Sequence, residues 1–221
     1  MTLVERFCHE MQPLLETKDS VHGAVQVCGS YAEAGHQVAQ LLHREKLRRV
    51  IVAAREELDP AVEALRGALR ELEAGGAGRD TVQLDRETPT QKKLGDSSRT
   101  FREYAHYEAG IGGADVLIAE SATIGLRMGP YESRAISLLP PTHIVIASTA
   151  KLVERIHDAL ASPFTHLNQK GDWGREESTG AGVSPTLTLI TGPSRTADIE
   201  KILVLPAHGP AQLYVWLVDE G

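Results

Sequence analysis

The chain has 221 residues, room for one large domain with a real core or one domain plus a small appendage. Hydrophobic residues make up 42% and charged residues 24%, an ordinary globular balance, and a formal net charge of -7 leaves no basic excess to offset phosphates, which excludes a general nucleic-acid binder. The two cysteines, Cys8 and Cys28, support neither a disulfide framework nor a thiolate-held zinc ion or iron–sulfur cluster on this chain. No apolar run reaches the ~18–20 residues of a membrane span, and the opening Met1-Thr-Leu-Val-Glu-Arg6 lacks a signal peptide's apolar core. A reduced, cytoplasmic, soluble protein is expected.

Residues 3–15 place Leu3, Val4, Phe7, Met11, Leu14 and Leu15 at helical spacing, and this helix ends near Thr17–Ser20. Val21 to Val27 reads as a strand weakened by Gly23, and Tyr31 to Lys46 as a helix with Ala34, Val38, Leu41 and Leu42 on one face. The run Val50-Ile-Val-Ala-Ala54 has the continuous apolar character of a strand buried on both faces. Leu58 to Leu72 is a second amphipathic helix, opened by Asp59-Pro60 and closed by Gly75-Gly76. Thr81 to Asp85 alternates as a brief strand, and Glu87 to Ser98 reads as a polar surface segment with part of a helix. Arg99 to Ala109 reads as a helix capped by Gly110. The strand–helix alternation predicts an α/β domain with a largely parallel sheet.

Ala114 to Glu120 is the next core strand, running into the small-residue bend Ser121-Ala-Thr-Ile-Gly125. Ile136 to Leu139 and His143 to Ala147 read as strands separated by Pro140-Pro141, which enforce an extended corner. Lys151 to Leu160 reads as a helix, and the polar, Gly- and Pro-punctuated residues 162–185 as a long exposed loop. Leu187 to Ile190 alternates as a strand, and Gln212 to Val218 closes the chain with Leu213, Val215 and Leu217 alternating. No internal repeat is visible.

The stretch after Ile190 concentrates polar groups. Gly192-Pro193 breaks the strand, and Ser194, Arg195, Thr196, Asp198 and Glu200 follow before Ile199, Ile202 and Leu203, a pattern that predicts a sharp turn and a helix start. Such a turn points backbone N–H groups outward and suits a small anionic ligand. With Thr196 as N-cap, Asp198 falls in the first helical turn, and Asp198 and Glu200 lie roughly 200° apart around the helix, so they are not a carboxylate pair on one face. Capping plus solvent exposure accounts for them equally well.

Glu120 ends an apolar strand, where open α/β sheets place their ligands, and is a candidate nucleophile or base; the bland alternative is an ion pair or a hydrogen bond to the 121–123 backbone. His208-Gly209-Pro210 is a turn histidine suited to acid–base work, or one with no role. His143 begins an apolar strand and is expected to make a satisfied core contact. The remaining histidines lack metal-ligand spacing, so no metal site is expected. Gly110-Ile-Gly-Gly113 lacks the strand–loop–helix setting of a phosphate-binding motif.

Four segments occur together in one order: Gly110-Ile-Gly-Gly-Ala-Asp-Val-Leu-Ile-Ala-Glu-Ser-Ala-Thr123, Ser137-Leu-Leu-Pro-Pro-Thr-His-Ile144, Thr191-Gly-Pro-Ser-Arg-Thr-Ala-Asp-Ile-Glu200 and His208-Gly-Pro210. In them the chain resembles the lactate-utilization (LUD) domain family, of the short LutC/YkgG type; residues 1–98 match only in general character. The resemblance implies a three-layer, mostly parallel α/β fold like that of the CoA transferases and sugar-phosphate isomerases (NagB/RpiA/CoA transferase-like). It implies a single LUD-type domain over 1–221, with helix 1–18 as an appendage. It also implies a part in oxidising L-lactate to pyruvate beside iron–sulfur partner proteins. By motif, Glu120, Asp198 and His208 are its catalytic candidates, and Thr123, Ser194, Arg195, Thr196, Glu200 and Gly209 its ligand-binding ones. The chain departs from the family at Ala122, where glycine is usual, and at Pro206-Ala207, where Gly-Val is commoner.

Three functions follow as alternatives. The first is a non-metal subunit of a lactate-oxidising system that binds a small anion or nucleotide-type group, its cofactor unknown. The second is a stand-alone transferase or isomerase using Glu120. The third is an interaction module without a site. Under any of the three, a homo-oligomer is a further possible assembly.

Overall fold

The computed structural model describes residues 1–17, 20–74, 81–87, 101–128, 134–161, 186–194, 196–197, 203–204 and 209–220, with the backbone alone at 101, 128, 186, 196–197 and 203–204. Helix α1 (Leu3–Met11) starts at a capping box in which Thr2 and Glu5 satisfy each other's backbone N–H groups, and a 3-10 turn (Gln12–Leu14) containing Pro13 follows it. Then come β1 (Gly23–Cys28), α2 (Tyr31–Arg44), β2 (Arg49–Val52), α3 (Asp59–Ala74), β3 (Gln83–Arg86), α4 (Phe101–Tyr104), β4 (Ala109–Gly112) and β5 (Val116–Ile118). The chain continues through β6 (Thr123–Met128), α5 (Ala135–Leu138), β7 (Thr142–Ser148), β8 (Leu152–Val153), β9 (Thr186–Ile190), β10 (Thr196–Ala197), β11 (Leu203–Val204) and β12 (Gln212–Val218).

Six strands form one sheet in the order β1-β12-β7-β4-β2-β3, and every neighbouring pair is parallel. Its central strands β7 and β12 are buried on both sides. Ile144, Ile146, Tyr214 and Trp216 point into one core with α2 and α3. Val145, Ala147, Leu213, Val215 and Leu217 point into another with Phe7 and Met11 of α1 and with Leu117, Ile124 and Leu126. The last three belong to a second sheet, β8-β5-β6-β9, in which β6 pairs antiparallel with both β5 and β9. The molecule therefore has three layers: helices, the parallel sheet, and α1 with the small sheet.

Five expectations change. The glycine-rich 109–112 segment, read as a helix end and cap, is the strand β4 between β7 and β2. A Cβ on Gly110 would lie 2.2 Å from the Ile136 carbonyl oxygen, so glycine is there for close approach. Residues 136–138 of the segment read as a strand belong to α5, which the Leu139 N–H closes on the Ala135 carbonyl (2.9 Å); four residues are too few to carry a periodicity that separates the two. The strand at Ala114–Glu120 is the shorter β5, and it lies in the small sheet rather than the parallel one. Lys151–Leu160 splits into β8 and a helical piece at 156–161. Finally, Thr196 does not cap a helix: Thr196 and Ala197 pair antiparallel with Val204 and Leu203, a placement in keeping with the β-branched character of Thr196 and Val204. The expected surface segment at 88–98 and the loop at 162–185 lie outside the described residues.

Candidate functional site

β9 runs antiparallel to β6, with Ile190 opposite Ile124. It ends at Thr191-Gly192-Pro193-Ser194, where Gly192 takes a left-handed φ of 85° and lets the chain turn. Hydrogen bonds hold the turn on both sides. The Ser194 N–H donates to the Pro210 carbonyl (3.0 Å), and a Cβ on Gly209 would stand 3.6 Å from the Ser194 Cβ. On the other side, Thr191 Oγ1 lies 2.7 Å from Thr123 Oγ1, which in turn lies 2.8 Å from Ser121 Oγ. A chain of three hydroxyls thus links the end of β5 to the turn.

Between this turn and the parallel sheet lies a cavity of about 220 Å³. Residues 188–194 form one wall, Ser137 and Leu138 of α5 another, and His143, Leu213 and Pro210 the rest. His143 and Leu213 are paired neighbours at the second positions of β7 and β12, so the cavity opens at the amino ends of these strands. Open α/β sheets more often bind ligands beyond the carboxyl ends. Here that edge is spanned by ion pairs: Arg55 grips Asp115 (2.8 Å), and Lys151 reaches Glu57 (2.6 Å) and the Ala114 carbonyl (2.6 Å).

Among the candidates drawn from the sequence, Ser194 lines the cavity, Gly209 abuts Ser194, and Thr123 touches the cavity wall through Thr191. Glu120 is not among the lining residues. Its Oε1 accepts from the Ile156 N–H (2.9 Å) at the start of the 156–161 helical piece, and its own N–H donates to the Glu154 carbonyl (3.0 Å). The carboxylate therefore caps a helical turn, where its charge complements the exposed N–H groups. Thr196 is described by its backbone only, in β10. Arg195, Asp198, Glu200 and His208 lie outside the described residues.

His143 is the residue that sequence reasoning misjudged. It is 1% exposed, as a core residue should be, but neither ring nitrogen has a hydrogen-bond partner among the described residues, and the ring borders the cavity. Burial disfavours the imidazolium and pulls its pKa down to about 4, so the ring is neutral at pH 7. The available signal was a polar residue at an inward position of an otherwise apolar strand. Both thiols, Cys8 and Cys28, are pushed above the ordinary range by burial, which leaves them protonated and poorly nucleophilic. Among the described residues no group of three or more histidine, cysteine, aspartate or glutamate side chains is placed to hold a metal ion. No helix among them is long and apolar enough to cross a membrane.

The described lining carries hydroxyls, a neutral imidazole and apolar surface but no charged side chain. Hydroxyls and imidazole each donate and accept, so the cavity suits a small polar group held by hydrogen bonds. Its volume is below the roughly 300–1,000 Å³ of sites for drug-sized ligands.

The model of the LUD domain family matches residues 12–218 of this chain. Lactate utilization protein C of Shouchella clausii is 34% identical over 126 residues, covering 57% of this chain and 50% of that protein. The protein of the same name from Macrococcus caseolyticus is 38% identical over 112 residues, 50% of this chain and 44% of that one. The chain thus spans about half the length of the curated relatives it matches. The crystal structure of a DUF162 family protein from Deinococcus radiodurans superposes with a TM-score of 0.58 at 20% identity, over 98% of this chain and 96% of that one, and shares its fold.

Proposed function

Since the chain belongs to the LUD domain family, we propose that it is the ligand-binding part of a lactate-utilization system and holds a small hydroxy or oxo acid, lactate or pyruvate, in the cavity beneath the 191–194 turn. The observation that carries the proposal is the cavity itself: one small space with apolar walls and a few hydroxyls, where the Thr191–Ser194 motif, β9 and His143 meet. Its size favours a three-carbon acid over a nucleotide. The names of the similar proteins support the system to which it is assigned.

Oxidising lactate to pyruvate removes two electrons, which need an acceptor. Two separate cysteines fall short of the four thiolates that hold a cluster, so the acceptor is assigned to partner proteins bearing iron–sulfur clusters. Ser194 and Thr191 are assigned to ligand contact, Thr123 to positioning Thr191, and Gly209 to the positive φ of 129° at the start of the segment whose Pro210 carbonyl holds the Ser194 N–H. Of the residues outside the described set, Arg195 directly follows Ser194 and is the nearest cation in sequence for the acid's carboxylate.

The test is a thermal-shift series on the purified chain with L-lactate, pyruvate, a nucleotide and CoA. A ligand at 100 times its dissociation constant adds about 2.7 kcal/mol, or roughly 5–10 °C for a chain of this size. Stabilisation by lactate or pyruvate is expected. Stabilisation by the nucleotide or CoA alone would overturn the assignment, as would unimpaired growth on lactate after gene deletion in a strain with no other lactate oxidase.

A further inference from the structure

A polar ring inside a sheet is costly unless something hydrogen-bonds it. His143 lies on the face of β7 that also carries Val145 and Ala147, and an apolar side chain of its size would avoid that cost. The buried hydroxyls beside it are engaged: Ser137 Oγ donates to the Arg134 carbonyl (3.1 Å), and Thr142 Oγ1 to Gln212 Oε1 (3.0 Å). Both His143 nitrogens are left without a partner among the described residues, and the ring borders the cavity. The opposite wall supplies Thr188, Thr191 and Ser194, and no charged side chain stands among the described lining residues. A carboxylate pressed against His143 would lose its hydration with no cation opposite it among the described residues. A hydroxyl or carbonyl oxygen needs only the hydrogen bonds that a neutral imidazole supplies.

We propose that His143 receives the uncharged polar end of the ligand, the C2 hydroxyl or carbonyl oxygen of a small 2-hydroxy or 2-oxo acid, while the carboxylate stays at the solvent-exposed Thr191 end of the cavity. The inference rests on the ligand-binding function assigned above and adds which atoms of the acid decide selectivity. A site built to hydrogen-bond an oxygen discriminates strongly against an analogue that lacks it, because its polar group is then left unpaired. Propionate has the same carbon count and charge as lactate but no C2 oxygen, so it is expected to bind at least tenfold more weakly.

The experiment follows the full chain, labelled with ¹⁵N, during titration with L-lactate, pyruvate and propionate. The His143 ring signals are assigned by their loss in His143→Phe. Lactate and pyruvate are expected to shift the His143 ring nitrogens together with the amides of 188–194, and propionate to leave the ring unmoved. His143→Phe, which keeps a planar ring, is expected to bind lactate at least tenfold more weakly while the free protein melts at the same temperature or higher. His143→Gln, which restores a donor and an acceptor, is expected to recover part of the binding and guards against a misfolded first variant. Equal lactate affinity in wild type and both variants, with the 188–194 amides still responding, overturns the role of His143 and leaves the cavity as the binding site. Absence of any response to the three acids in the wild type overturns both assignments.

Discussion

At His143 the missing hydrogen bonds have a consequence for stability as well as for binding. The folded ring holds its pKa near 4, whereas an unfolded histidine titrates near 6.5. Between those values the unfolded chain binds the extra proton, so stability is complete above about pH 6.5 and falls as pH drops towards 4. Going from pH 7.5 to pH 5, the wild type should lose roughly 2 kcal/mol more than His143→Phe, read from urea midpoints at the two pH values. Parallel pH profiles would show that the ring is not buried in neutral form. Glu120 carries the opposite expectation. Its carboxylate caps the 156–161 helical piece, so Glu120→Ala should cost about 1 kcal/mol and leave lactate affinity unchanged. These two residues show what residue-level reading can and cannot reach. The sequence marks Glu120 and His143 as polar groups at the ends of apolar runs. Which one meets a cavity and which one meets a helix start is decided by distant chain segments, the turn beyond β9 for His143 and the Ile156 N–H, 36 positions away, for Glu120.

Among the elements, those built from β-branched and large aliphatic residues were legible: β2, β7, β9 and β12 fall where their apolar runs predict, and α1, α2 and α3 where the helical periodicity does. β4 was not, because Ala-Gly-Ile-Gly offers neither strand propensity nor alternation; its place in the sheet comes from β2 and β7 on either side. The two glycines of β4 are not equivalent. A Cβ at Gly110 would meet the Ile136 carbonyl oxygen at 2.2 Å, a backbone atom fixed by α5, whereas one at Gly112 would meet His143 Nε2 at 3.6 Å, ordinary contact. Gly110→Ala should therefore cost about 3 kcal/mol, and Gly112→Ala less than about 1 kcal/mol. Denaturant midpoints at constant m-value measure both, and equal costs would mean that α5 yields. The 191–200 stretch was legible as a strand followed by a turn, but not beyond it: Thr196 and Ala197 enter a two-stranded ladder whose partner, Leu203–Val204, was read as helix.

At the scale of the whole molecule, the parallel sheet divides two cores, and the site belongs to the side closed by α1 and the small sheet. Phe7, Met11 and Leu15 are 0% exposed and pack with Leu117 and Ile124, so α1 is part of that core. It also reaches the site: a Cβ on Gly192 would stand 3.2 Å from the Leu14 Cβ, which places the end of the helical segment directly behind the turn. Removing packing from α1 should then act in two places. Phe7→Ala is expected to lower stability by about 3–5 kcal/mol, the usual cost of a large buried aromatic. Leu3→Ala, at a side chain 38% exposed, should stay within about 0.5 kcal/mol. If α1 braces the turn, amide hydrogens of residues 188–194 should exchange faster in Phe7→Ala than global destabilisation alone requires, and lactate affinity should fall although Phe7 does not line the cavity. Exchange at the turn that merely follows the global loss would separate the two, leaving α1 as a core helix with no hold on the site.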